Sequence, residues 1–415
     1  MRAEILAVGS ELLTPLRSDT NALHITWQLQ EAGIEVGARS TVADDLSLLE
    51  SAFRGALERA DLVVSTGGLG PTADDLTREA AAAALGRGLR RDPALLEELR
   101  RRFARYGRVM APVNEKQADV VEGGVSLPNR RGTAPGQWIE AGPRALVLLP
   151  GPPSEMQPML QEHVLPRLRA RPGAGVLRRH VLKIASMSES DVEQRVAALY
   201  TSFTNPRTTI LGNPGQVELH LVAEGPTEQA ALGRIEELAA GIRGLLPGRI
   251  YGEDGRELPE VVGALLRERG LSLALAESCT GGLLAARLTA VAGASAFLER
   301  AYVTYSNRSK LELLGVAAGL VETAGAVSDE VARAMAEGAR RAAGSDVGVA
   351  ITGIAGPDGG TPDKPVGTVY LALCGAAGER VRRALFPGDR ERIRMQATQA
   401  ALEMLRRGLL GVEPL

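Results

Sequence analysis

The stretch LSLALAESCTGG, residues 271–282, sets the pattern for the C-terminal part of this chain. Its apolar first half is typical of a buried strand, and the residues that follow, LLAARLTAV, place apolar side chains at helical spacing. The sequence therefore predicts a strand, a tight turn and the start of a helix. Ser278 lies in the turn, where the free amides of residues 279–282 can point at a ligand. This position suits a nucleophile, and it equally suits a helix cap made by Ser278 or Thr280.

A nucleophilic serine needs a base, and the histidines are poorly placed to supply one. They are His24, His163, His180 and His220, so a Ser/His/Asp triad would need a histidine from another part of the assembly. Lysine is the alternative, because burial lowers the pKa of its amine. Only four of the 48 basic residues are lysines, and Lys310 lies in YVTYSNRSK, where a short strand runs into a capped helix. Lys310 is the candidate base, with a solvated surface lysine as the alternative.

The composition predicts a multidomain protein without membrane or secretory features. At 415 residues and 45% hydrophobic content, we expect roughly two to three domains. A net charge of −2 gives no electrostatic footprint for nucleic acid or an anionic membrane. Cys279 and Cys374, the two cysteines, make neither a disulfide framework nor a metal cluster. With no signal-peptide layout and no run of about 18 apolar residues, we expect a soluble cytoplasmic protein.

Strands and helices alternate through the first part of the chain. AEILAVG, IEVGARSTVA and DLVVSTGG are typical of strands, and helices are predicted near residues 22–32 and 46–60. Such alternation predicts a parallel, doubly wound α/β sheet, whose ligands bind beyond the carboxyl ends of the strands. Function is therefore expected in the loops that follow the strands.

A glycine-rich loop, STGGLGPTADDLT at residues 65–77, follows the third of these strands. Its glycines let the backbone approach an anion, and its threonines offer hydroxyls near the positive end of the next helix. These residues are Gly67, Gly68, Gly70, Thr72 and Thr77. Asp74 and Asp75 can hold a divalent metal against phosphate oxygens, although adjacent helical residues diverge by ~100° and only one would face the ligand. Helix capping by either aspartate is the alternative.

Two other segments carry no catalytic signal. RARPGAG, residues 169–175, is typical of a linker. Beyond it, the strand-like stretches RRHVLKIA and QVELHLVAEG alternate with helical patterns at 189–199 and 227–245, which predicts a small α/β unit.

Residues 87–108 include eight arginines. The leucines of this segment recur at helical spacing, which favours an amphipathic helix with a solvated face over a nucleic-acid surface.

Three groups near the C-terminus complete the candidate residues. The loop GIAGPDGG, with Gly353 and Gly356, can line a phosphate or ribose through its amides. Arg390, in FPGDR, is predicted at the start of the last helix, where its guanidinium can meet a phosphate. Tyr305 can relay a proton or orient Lys310, or it can be a core tyrosine.

Together these motifs resemble a known family. TGGLGPTADDLT and LLPGPPSEM are similar to two signatures of the molybdopterin-binding fold, and with GSELL, SDTN, NEKQA and RRGTAPG they resemble the N-terminal domain of the CinA family of competence/damage-inducible proteins. AESCTGG, YVTYSN, GIAGPDGG, KPVGTVY and FPGDR resemble its C-terminal domain, a nicotinamide mononucleotide (NMN) deamidase. The resemblance implies a doubly wound molybdopterin-binding-like domain at residues 1–170, a KH-like middle domain at 171–253 and a C-terminal α/β/α deamidase domain at 254–415.

For the first domain, the resemblance implies metal-dependent hydrolysis of ADP-ribose to AMP and ribose 5-phosphate, with Mg²⁺ or a similar divalent ion. The implied metal ligands are Asp44, Asp74 and Asp75. The implied substrate contacts are Glu11, Asn21, Gly67, Gly68, Gly70, Thr72, Thr77, Lys116, Asn129, Gly132, Thr133, Gly151 and Glu155. Glu11 as a cap and Asp44 as an ordinary loop residue are the alternatives, as is a domain that binds a nucleotide without hydrolysing it.

For the third domain, the resemblance implies deamidation of NMN to nicotinic acid mononucleotide and ammonia, without a cofactor. Lys310 would deprotonate Ser278, and Tyr305 would assist. The implied substrate contacts are Cys279, Thr280, Gly281, Gly282, Gly353, Gly356 and Arg390. Cys279 is a rival nucleophile because thiolates are more reactive than alcohols. Neighbouring residues on a turn point in different directions, and the family pattern favours the serine.

The expected partners also follow from the resemblance. It implies a homodimer whose small-molecule substrates are NMN and ADP-ribose. The middle unit lacks a basic GxxG-type loop, so a spacer or dimerisation role is favoured over RNA binding. An alternative function is a non-catalytic, nucleotide-binding accessory protein that binds a recombinase during DNA uptake or damage. The polar groups in both glycine loops favour the enzyme.

Overall fold

The computed structural model describes residues 1–105, 107–171 and 176–412. They form two units, one made of Met1–Arg178 with Ala223–Gly233 and the other of Arg179–Val222 with Arg234–Leu415. None of the helices within these described ranges has both the length and the apolar character needed to cross a bilayer.

The N-terminal sheet has three central strands, β1, β3 and β8, that are buried on both faces, as is typical of parallel strands. Six strands pair in the order β2-β1-β3-β8-β7-β6. Their bounds are β1 Arg2–Val8, β2 Glu35–Val42, β3 Leu62–Thr66, β6 Gly124–Leu127, β7 Gly136–Ala141 and β8 Arg144–Leu149. Pairing is parallel from β2 through β1 and β3 to β8, and antiparallel from β8 through β7 to β6. The predicted parallel arrangement therefore holds for four strands, and the antiparallel edge was not predicted.

Alternate residues of the central strands supply two cores, one on each face of this sheet. Ile5 packs with helix α1 (Asn21–Glu31) on one face. Leu6 packs with α2 (Leu46–Arg59) and α3 (Thr77–Leu85) on the other. Helices thus cover both faces, which confirms the doubly wound character predicted from the sequence.

An excursion of mixed structure lies between α3 and β6. It contains β4 Leu89–Arg91, α4 Pro93–Arg105, a 3-10 helix at Pro112–Ala118 and β5 Asp119–Val121. Strands β4 and β5 pair in an antiparallel ribbon. Helix α4 confirms the amphipathic helix predicted for the arginine-rich segment, with Leu99 buried. After β8 the chain continues through α5 Pro153–Met159, a π-helical turn at Leu160–Val164 and α6 Leu165–Arg169.

The middle segment forms a four-stranded sheet with two helices. The strand order is β10-β11-β9-β12. The bounds are β9 Val176–Ala185, α7 Glu189–Tyr200, β10 Arg207–Asn213, β11 Gln216–Gly225, α8 Glu228–Leu245 and β12 Ile250–Glu253. The sequence predicted β9, β11 and both helices. The linker predicted at residues 169–175 lies partly outside the described residues, since 172–175 are not described.

The C-terminal sheet brings the predicted catalytic loops to one edge. Its order is β14-β13-β15-β16-β17. The bounds are β13 Leu273–Glu277, β14 Leu298–Val303, β15 Val347–Gly353, β16 Thr368–Gly375 and β17 Arg380–Leu385. Strand β13 pairs in parallel with β14 on one side and β15 on the other. The loops that follow these three strands therefore meet, at the kind of switch point where α/β sheets bind ligands.

Helices cover both faces of this sheet as well. They are α9 Leu258–Arg269, α10 Leu283–Thr289, α11 Asn307–Leu314, α12 Ala318–Ala324, α13 Asp329–Ala343 and α14 Arg390–Leu410. Leu273 and Leu275 of β13 pack in one core with α9, α10 and α14. Ala274 and Ala276, which alternate with them, pack in the opposite core with α13. One face of the strand thus carries large side chains and the other carries small ones.

Candidate functional site

Ser278 stands directly after β13, in the turn that the sequence predicted. Its amide donates to the Ile351 carbonyl of the neighbouring strand at 2.9 Å, which fixes the backbone where the turn begins. Gly281 and Gly282 have φ values of 58° and 88°, in the left-handed region that glycine occupies without strain. The turn therefore closes within four residues, and α10 begins at Leu283.

Lys310 is brought to Ser278 by the adjacent strand β14 and helix α11. Ser306 caps α11 by accepting a hydrogen bond from the Ser309 amide, so Lys310 lies in the first turn of the helix. Its Nζ lies 3.1 Å from Ser278 Oγ. The lysine side chain is only 1% exposed. The solvated-lysine alternative is therefore wrong.

The surroundings of Lys310 match a neutral amine. Besides Ser278, its Nζ contacts the carbonyl oxygens of Thr304 at 2.9 Å and Ser306 at 3.4 Å. A neutral amine has two N–H donors and one lone pair, so the two carbonyls can take the hydrogens while the lone pair faces the serine hydroxyl. Burial lowers the pKa of the Lys310 amine, because a buried charge loses its hydration. No carboxylate among the described residues forms an ion pair with it.

Cys279 has the opposite electrostatic character. It is 7% exposed, and burial raises the pKa of its thiol to about 12. A thiol with so high a pKa is protonated at neutral pH, and the protonated form is a poor nucleophile. The raised pKa of Cys279 thus favours Ser278 as the nucleophile.

The turn offers an anion fewer amides than its four residues suggest. The Gly281 amide donates to the Ser278 carbonyl at 3.0 Å, so this predicted contact is engaged within the turn. Within the described ranges, the amides of Cys279, Thr280 and Gly282 have no protein acceptor. The Thr280 hydroxyl is also buried and unpartnered there. Cys279, Thr280 and Gly282 therefore supply the donors that remain free for an oxyanion.

Glu277 is a buried residue of the site that sequence reasoning missed. Its carboxylate accepts hydrogen bonds from the amides of Leu284 at 2.9 Å and Ala285 at 2.8 Å. Its carbonyl accepts from the Thr304 amide at 2.8 Å. Glu277 thus joins the start of α10 to the connection that carries Lys310. The available signal was a carboxylate at the end of an otherwise apolar strand.

Arg390 lies at the start of α14, as predicted, and connects two other predicted residues. It donates from Nη1 to the Gly356 carbonyl at 2.6 Å and from Nη2 to Tyr305 Oη at 2.7 Å. Tyr305 is 59% exposed, so it is not the core tyrosine of the alternative. Its hydroxyl contacts Arg390, and Lys310 is not among its hydrogen-bond partners. Gly353 is the last residue of β15, at the beginning of the same loop.

Arg394, one helical turn after Arg390, was also missed. Its Nε and Nη2 both donate to the Thr280 carbonyl, at 3.2 and 2.7 Å. The residue is half-buried. This contact holds the turn after Ser278 against α14.

The glycine loop of the N-terminal domain surrounds an open cavity of about 320 Å³. Ten predicted residues line it, namely Glu11, Asp44, Gly67, Gly68, Gly70, Asp74, Asp75, Thr133, Gly151 and Glu155. Gln117 lines it too and was not predicted. Its side-chain amide donates to Thr133 Oγ1 at 3.1 Å. The sequence therefore identified most of this wall.

Several predicted side chains of this loop bind the loop itself. Asp75 accepts hydrogen bonds from the amide and hydroxyl of Thr72. Lys116 donates to the carbonyls of Thr72 at 3.0 Å and Asp75 at 2.8 Å. The Thr77 hydroxyl donates to the Gly67 carbonyl at 2.9 Å. Thr72, Thr77 and Lys116 therefore shape the loop, and their contacts with a substrate stay a prediction.

A second wall forms around Asn129. Its amide nitrogen donates to Glu155 Oε2 at 2.7 Å, and its Oδ1 accepts from the Gly132 amide at 2.7 Å. A Cβ on Gly132 would lie 1.7 Å from Glu155 Oε2, so only glycine allows this approach. Asn21 donates to the Gly151 carbonyl at 2.6 Å, and its buried Oδ1 has no partner within the described residues. Asn21 thus leaves one acceptor open beside the cavity.

The predicted metal ligands line the cavity without forming a cluster of their own. Asp44 accepts from the Ser10 amide at 2.7 Å, and one oxygen of Asp75 is occupied by Thr72. Among the described residues, no group of three or more His, Cys, Asp or Glu side chains is arranged to hold a metal ion. Mg²⁺ usually takes only one or two protein carboxylates and completes its shell with water and substrate phosphate. The carboxylates present fit that mode of binding.

Known families and proteins match almost the whole chain. Three family models match it: the probable molybdopterin binding domain at residues 4–170, the damage-inducible protein CinA KH domain at 179–252 and the CinA C-terminal domain at 255–409. The CinA-like protein of Solibacter usitatus is 46% identical over 411 residues, which cover 99% of each chain. The CinA-like protein of Koribacter versatilis is 46% identical over 414 residues, covering 99% of this chain and all of its own.

A solved structure covers part of the chain. The protein CinA of Thermoplasma acidophilum is 37% identical, with a TM-score of 0.37, and the match covers 39% of this chain and 96% of its own. The two relatives above match from end to end at 46% identity. The chain, an α/β protein with a molybdopterin-binding-like domain, a KH-like middle domain and a CinA C-terminal domain, therefore belongs to the CinA family of competence/damage-inducible proteins.

Proposed function

We propose that the C-terminal domain hydrolyses the carboxamide of NMN, with Ser278 as nucleophile and Lys310 as general base. The observation that carries this proposal is the 3.1 Å contact between Lys310 Nζ and Ser278 Oγ. The lysine is buried and its pKa is lowered, so its amine is available to accept a proton. The two neighbouring carbonyls orient the lone pair toward the serine.

The groups of the site support a complete acyl-transfer cycle. Ser278 Oγ attacks the carboxamide carbon, its proton passes to Lys310, and the carbonyl oxygen becomes an oxyanion facing the amides of Cys279 and Thr280. The Lys310 ammonium then protonates the nitrogen, the C–N bond breaks and ammonia leaves. Water, deprotonated by the same amine, attacks the ester, nicotinic acid mononucleotide departs, and Ser278 recovers its proton.

Arg390 is placed to bind the phosphate of the mononucleotide. A guanidinium has five N–H donors, and the contacts to Gly356 and Tyr305 are made from Nη1 and Nη2. These contacts hold the group at the mouth of the loop while other N–H donors stay free for phosphate oxygens. Tyr305 then acts as a support for Arg390, a role that its exposed position allows.

We further propose that the N-terminal cavity hydrolyses the pyrophosphate of ADP-ribose. The glycine loop can approach phosphates through its backbone, and Asn21 offers a free acceptor to a ribose hydroxyl. Asp44, Asp74 and Asp75 would hold a divalent ion together with the substrate. Such an ion neutralises phosphate charge and lowers the pKa of bound water. Asn129 holds Glu155, which lines the same cavity, through a hydrogen bond of 2.7 Å.

The deamidase is tested by ammonia release from NMN, measured in the presence of a chelator. We expect turnover by the unmodified protein and losses of about a thousandfold or more in Ser278→Ala and Lys310→Ala, because nucleophile and base act as a unit. Arg308→Ala is the matched control, since Arg308 lies on the same helix as Lys310 with 83% of its side chain exposed. An unmodified protein that releases no ammonia at any NMN concentration would overturn the proposal.

The pyrophosphatase is tested separately by AMP formation from ADP-ribose. We expect activity with Mg²⁺, loss in chelator, and loss in Asp74→Asn, with the deamidase unaffected. ADP-ribose binding without AMP formation would reduce the domain to a binding module. The proposed homodimer is tested by the molecular mass in solution, and the recombinase alternative by co-purification of Ser278→Ala with the recombinase. Association without either activity would favour the accessory role.

A further inference from the structure

Four consecutive carbonyls of the glycine loop accept hydrogen bonds from two adjacent residues at the start of α3. The Thr77 hydroxyl donates to the Gly67 carbonyl at 2.9 Å, and the Thr77 amide donates to the next carbonyl at 3.2 Å. Arg78 donates from Nη1 to the Leu69 carbonyl and from Nη2 to the Gly70 carbonyl, both at 2.8 Å. The start of α3 therefore fixes the orientation of these peptide groups.

The orientation of the carbonyls determines where the neighbouring amides point. These peptide bonds are trans, and a planar trans peptide group directs its N–H opposite to its C=O. The amides of Gly68, Leu69 and Gly70 therefore point away from Thr77 and Arg78. None of the three donates to an acceptor within the described part of the chain, and all three residues line the cavity of the glycine loop. Successive free amides of this kind form an anion-binding nest.

Arg78 is a buried cation directly beside this amide nest. Its side chain is only 1% exposed, and a guanidinium stays charged in a protein. Within the described ranges it forms no ion pair, and its buried Nε has no hydrogen-bond partner. Glu79, Asp75 and Asp119 act on its charge from beyond ion-pair distance. A buried cation without a paired carboxylate costs free energy, and an anion on the cavity side of the loop would reduce this cost.

We propose that Arg78 is a positioning residue for the amide nest, and that the nest binds a phosphate group without the help of a metal ion. The proposal rests on the proposed hydrolysis of ADP-ribose, whose pyrophosphate would place one phosphate on the nest and the other beside the divalent ion. Amide donors form charge-assisted hydrogen bonds with an anion. Arginine suits this role better than lysine, because the two nitrogens of its planar fork reach two successive carbonyls at once.

The experiment is calorimetric titration of the full chain with inorganic pyrophosphate in chelator. Every chain carries Arg390→Ala, which removes the phosphate ligand proposed for the C-terminal domain. We expect one binding event in this background, and a dissociation constant at least about tenfold higher when Arg78→Met is added, because the amides lose their orientation. Arg87→Met is the matched control and should bind as the background chain does. Arg87 also donates to two backbone carbonyls, those of Glu122 and Glu140, but does not line the cavity.

Further variants separate positioning from packing. Arg78→Lys keeps the charge and one donor, so its affinity should lie between those of the background chain and Arg78→Met, whereas a packing role alone would leave methionine at least as good as lysine. Thr77→Val removes one donor at similar shape and should weaken binding severalfold. Affinity equal to that of the background chain in both Arg78→Lys and Thr77→Val would overturn the proposal, even if Arg78→Met fails to fold. Pyrophosphate should also shift the nuclear magnetic resonance signals of the Gly68, Leu69 and Gly70 amides, and unchanged signals at saturation would contradict the nest.

The result can be told apart from that of the proposed pyrophosphatase. Pyrophosphate binding that depends on Arg78 would support the amide nest even if no AMP forms from ADP-ribose with Mg²⁺. Absence of pyrophosphate binding in chelator would overturn the metal-independent nest, and AMP formation by the same chain would leave the hydrolase in place.

Discussion

Arg394 on α14 donates two hydrogen bonds, at 3.2 and 2.7 Å, to the carbonyl of Thr280, a residue 114 positions earlier in the chain. The turn that carries Ser278 therefore depends on the last helix for its position. We expect Arg394→Ala to lower kcat for ammonia release by about tenfold to a hundredfold, because charge-assisted hydrogen bonds of this kind contribute about 1.5–3 kcal/mol. KM should change much less, since the substitution leaves Arg390, the proposed phosphate ligand, in place.

The control for this prediction is Arg392→Ala. Arg392 is an exposed arginine of the same helix and should leave kcat unchanged. Partial recovery of kcat in Arg394→Lys would support a positioning role through charge and hydrogen bonding. A kcat equal to that of the unmodified protein in Arg394→Ala would contradict it.

The pH dependence of deamidation should report the protonation of Lys310. The base works only as the neutral amine, so kcat/KM should rise with pH through the pKa of Lys310 and level off above it. Because burial lowers that pKa, the rise should fall below the pH range in which an exposed lysine titrates, near 10.4. Steady-state rates between pH 5 and pH 10, with buffers held at constant ionic strength, would measure the profile. A rate that climbs only near the ordinary lysine value would argue against a neutral Lys310.

Lys310 should also lower the free energy of unfolding of the protein, although the activity requires it. Its amine is neutral when folded but protonated when unfolded over the interval between the lowered folded pKa and the unfolded pKa near 10.4. The unfolded chain then binds more protons, so stability rises with pH through that interval. We expect Lys310→Met to be inactive but at least as stable as the unmodified protein near pH 7 in urea unfolding. Its advantage should shrink as pH rises toward the unfolded value.

Cys279 should be dispensable for the chemistry. Its thiol is buried and has a pKa raised to about 12, so no appreciable thiolate exists near neutral pH. We expect Cys279→Ala to keep ammonia release within about tenfold of the unmodified protein, with the residual loss arising from packing. Loss of all activity in Cys279→Ala, with activity surviving in Ser278→Ala, would reverse the assignment of the nucleophile.

A side chain at residue 132 should displace the Glu155 carboxylate. A Cβ there would lie 1.7 Å from the Glu155 carboxylate, so Gly132→Ala would displace Glu155 and break its contact with Asn129. We expect AMP formation from ADP-ribose to fall by about tenfold or more, in line with the loss of a buried hydrogen bond to a charged group. Ammonia release from NMN should be unchanged and serves as the internal control. Gly244→Ala in α8, where the backbone is helical and a Cβ would meet nothing within 4 Å, is the matched substitution.

The sequence predicted those parts of the sites that local pattern determines. Ser278 follows an apolar strand and Lys310 follows a short one, and parallel strands deliver the loops after them to one edge, so their proximity could be expected. Arg394 and Glu277 could not be assigned in this way. Their roles depend on hydrogen bonds to backbone groups that come near only when the chain is folded. No spacing of residues in the sequence predicts such contacts.

Similar reasons explain the differences in the fold and in the glycine loop. Strand β10 has a polar, largely exposed pattern, and as an edge strand it lacks the apolar run that marks a buried one. Thr72 and Lys116 have the chemistry of phosphate ligands, but the loop needs its own carbonyls and carboxylates satisfied, and these side chains supply the donors. Residue type alone does not distinguish a side chain that binds its own loop from one that binds phosphate.

The two faces of β13 differ in side-chain size, and this difference fixes the register of the strand in the sheet. Leu273 and Leu275 enter one core while Ala274 and Ala276 enter the other, and a slip of one residue would exchange the two sets. The leucines would then press on α13, where there is room only for methyl groups, and the alanines would leave voids beside α9 and α14. Side-chain volume thus disfavours misaligned pairings, and the serine that follows the strand comes to the same height above the sheet each time the chain folds.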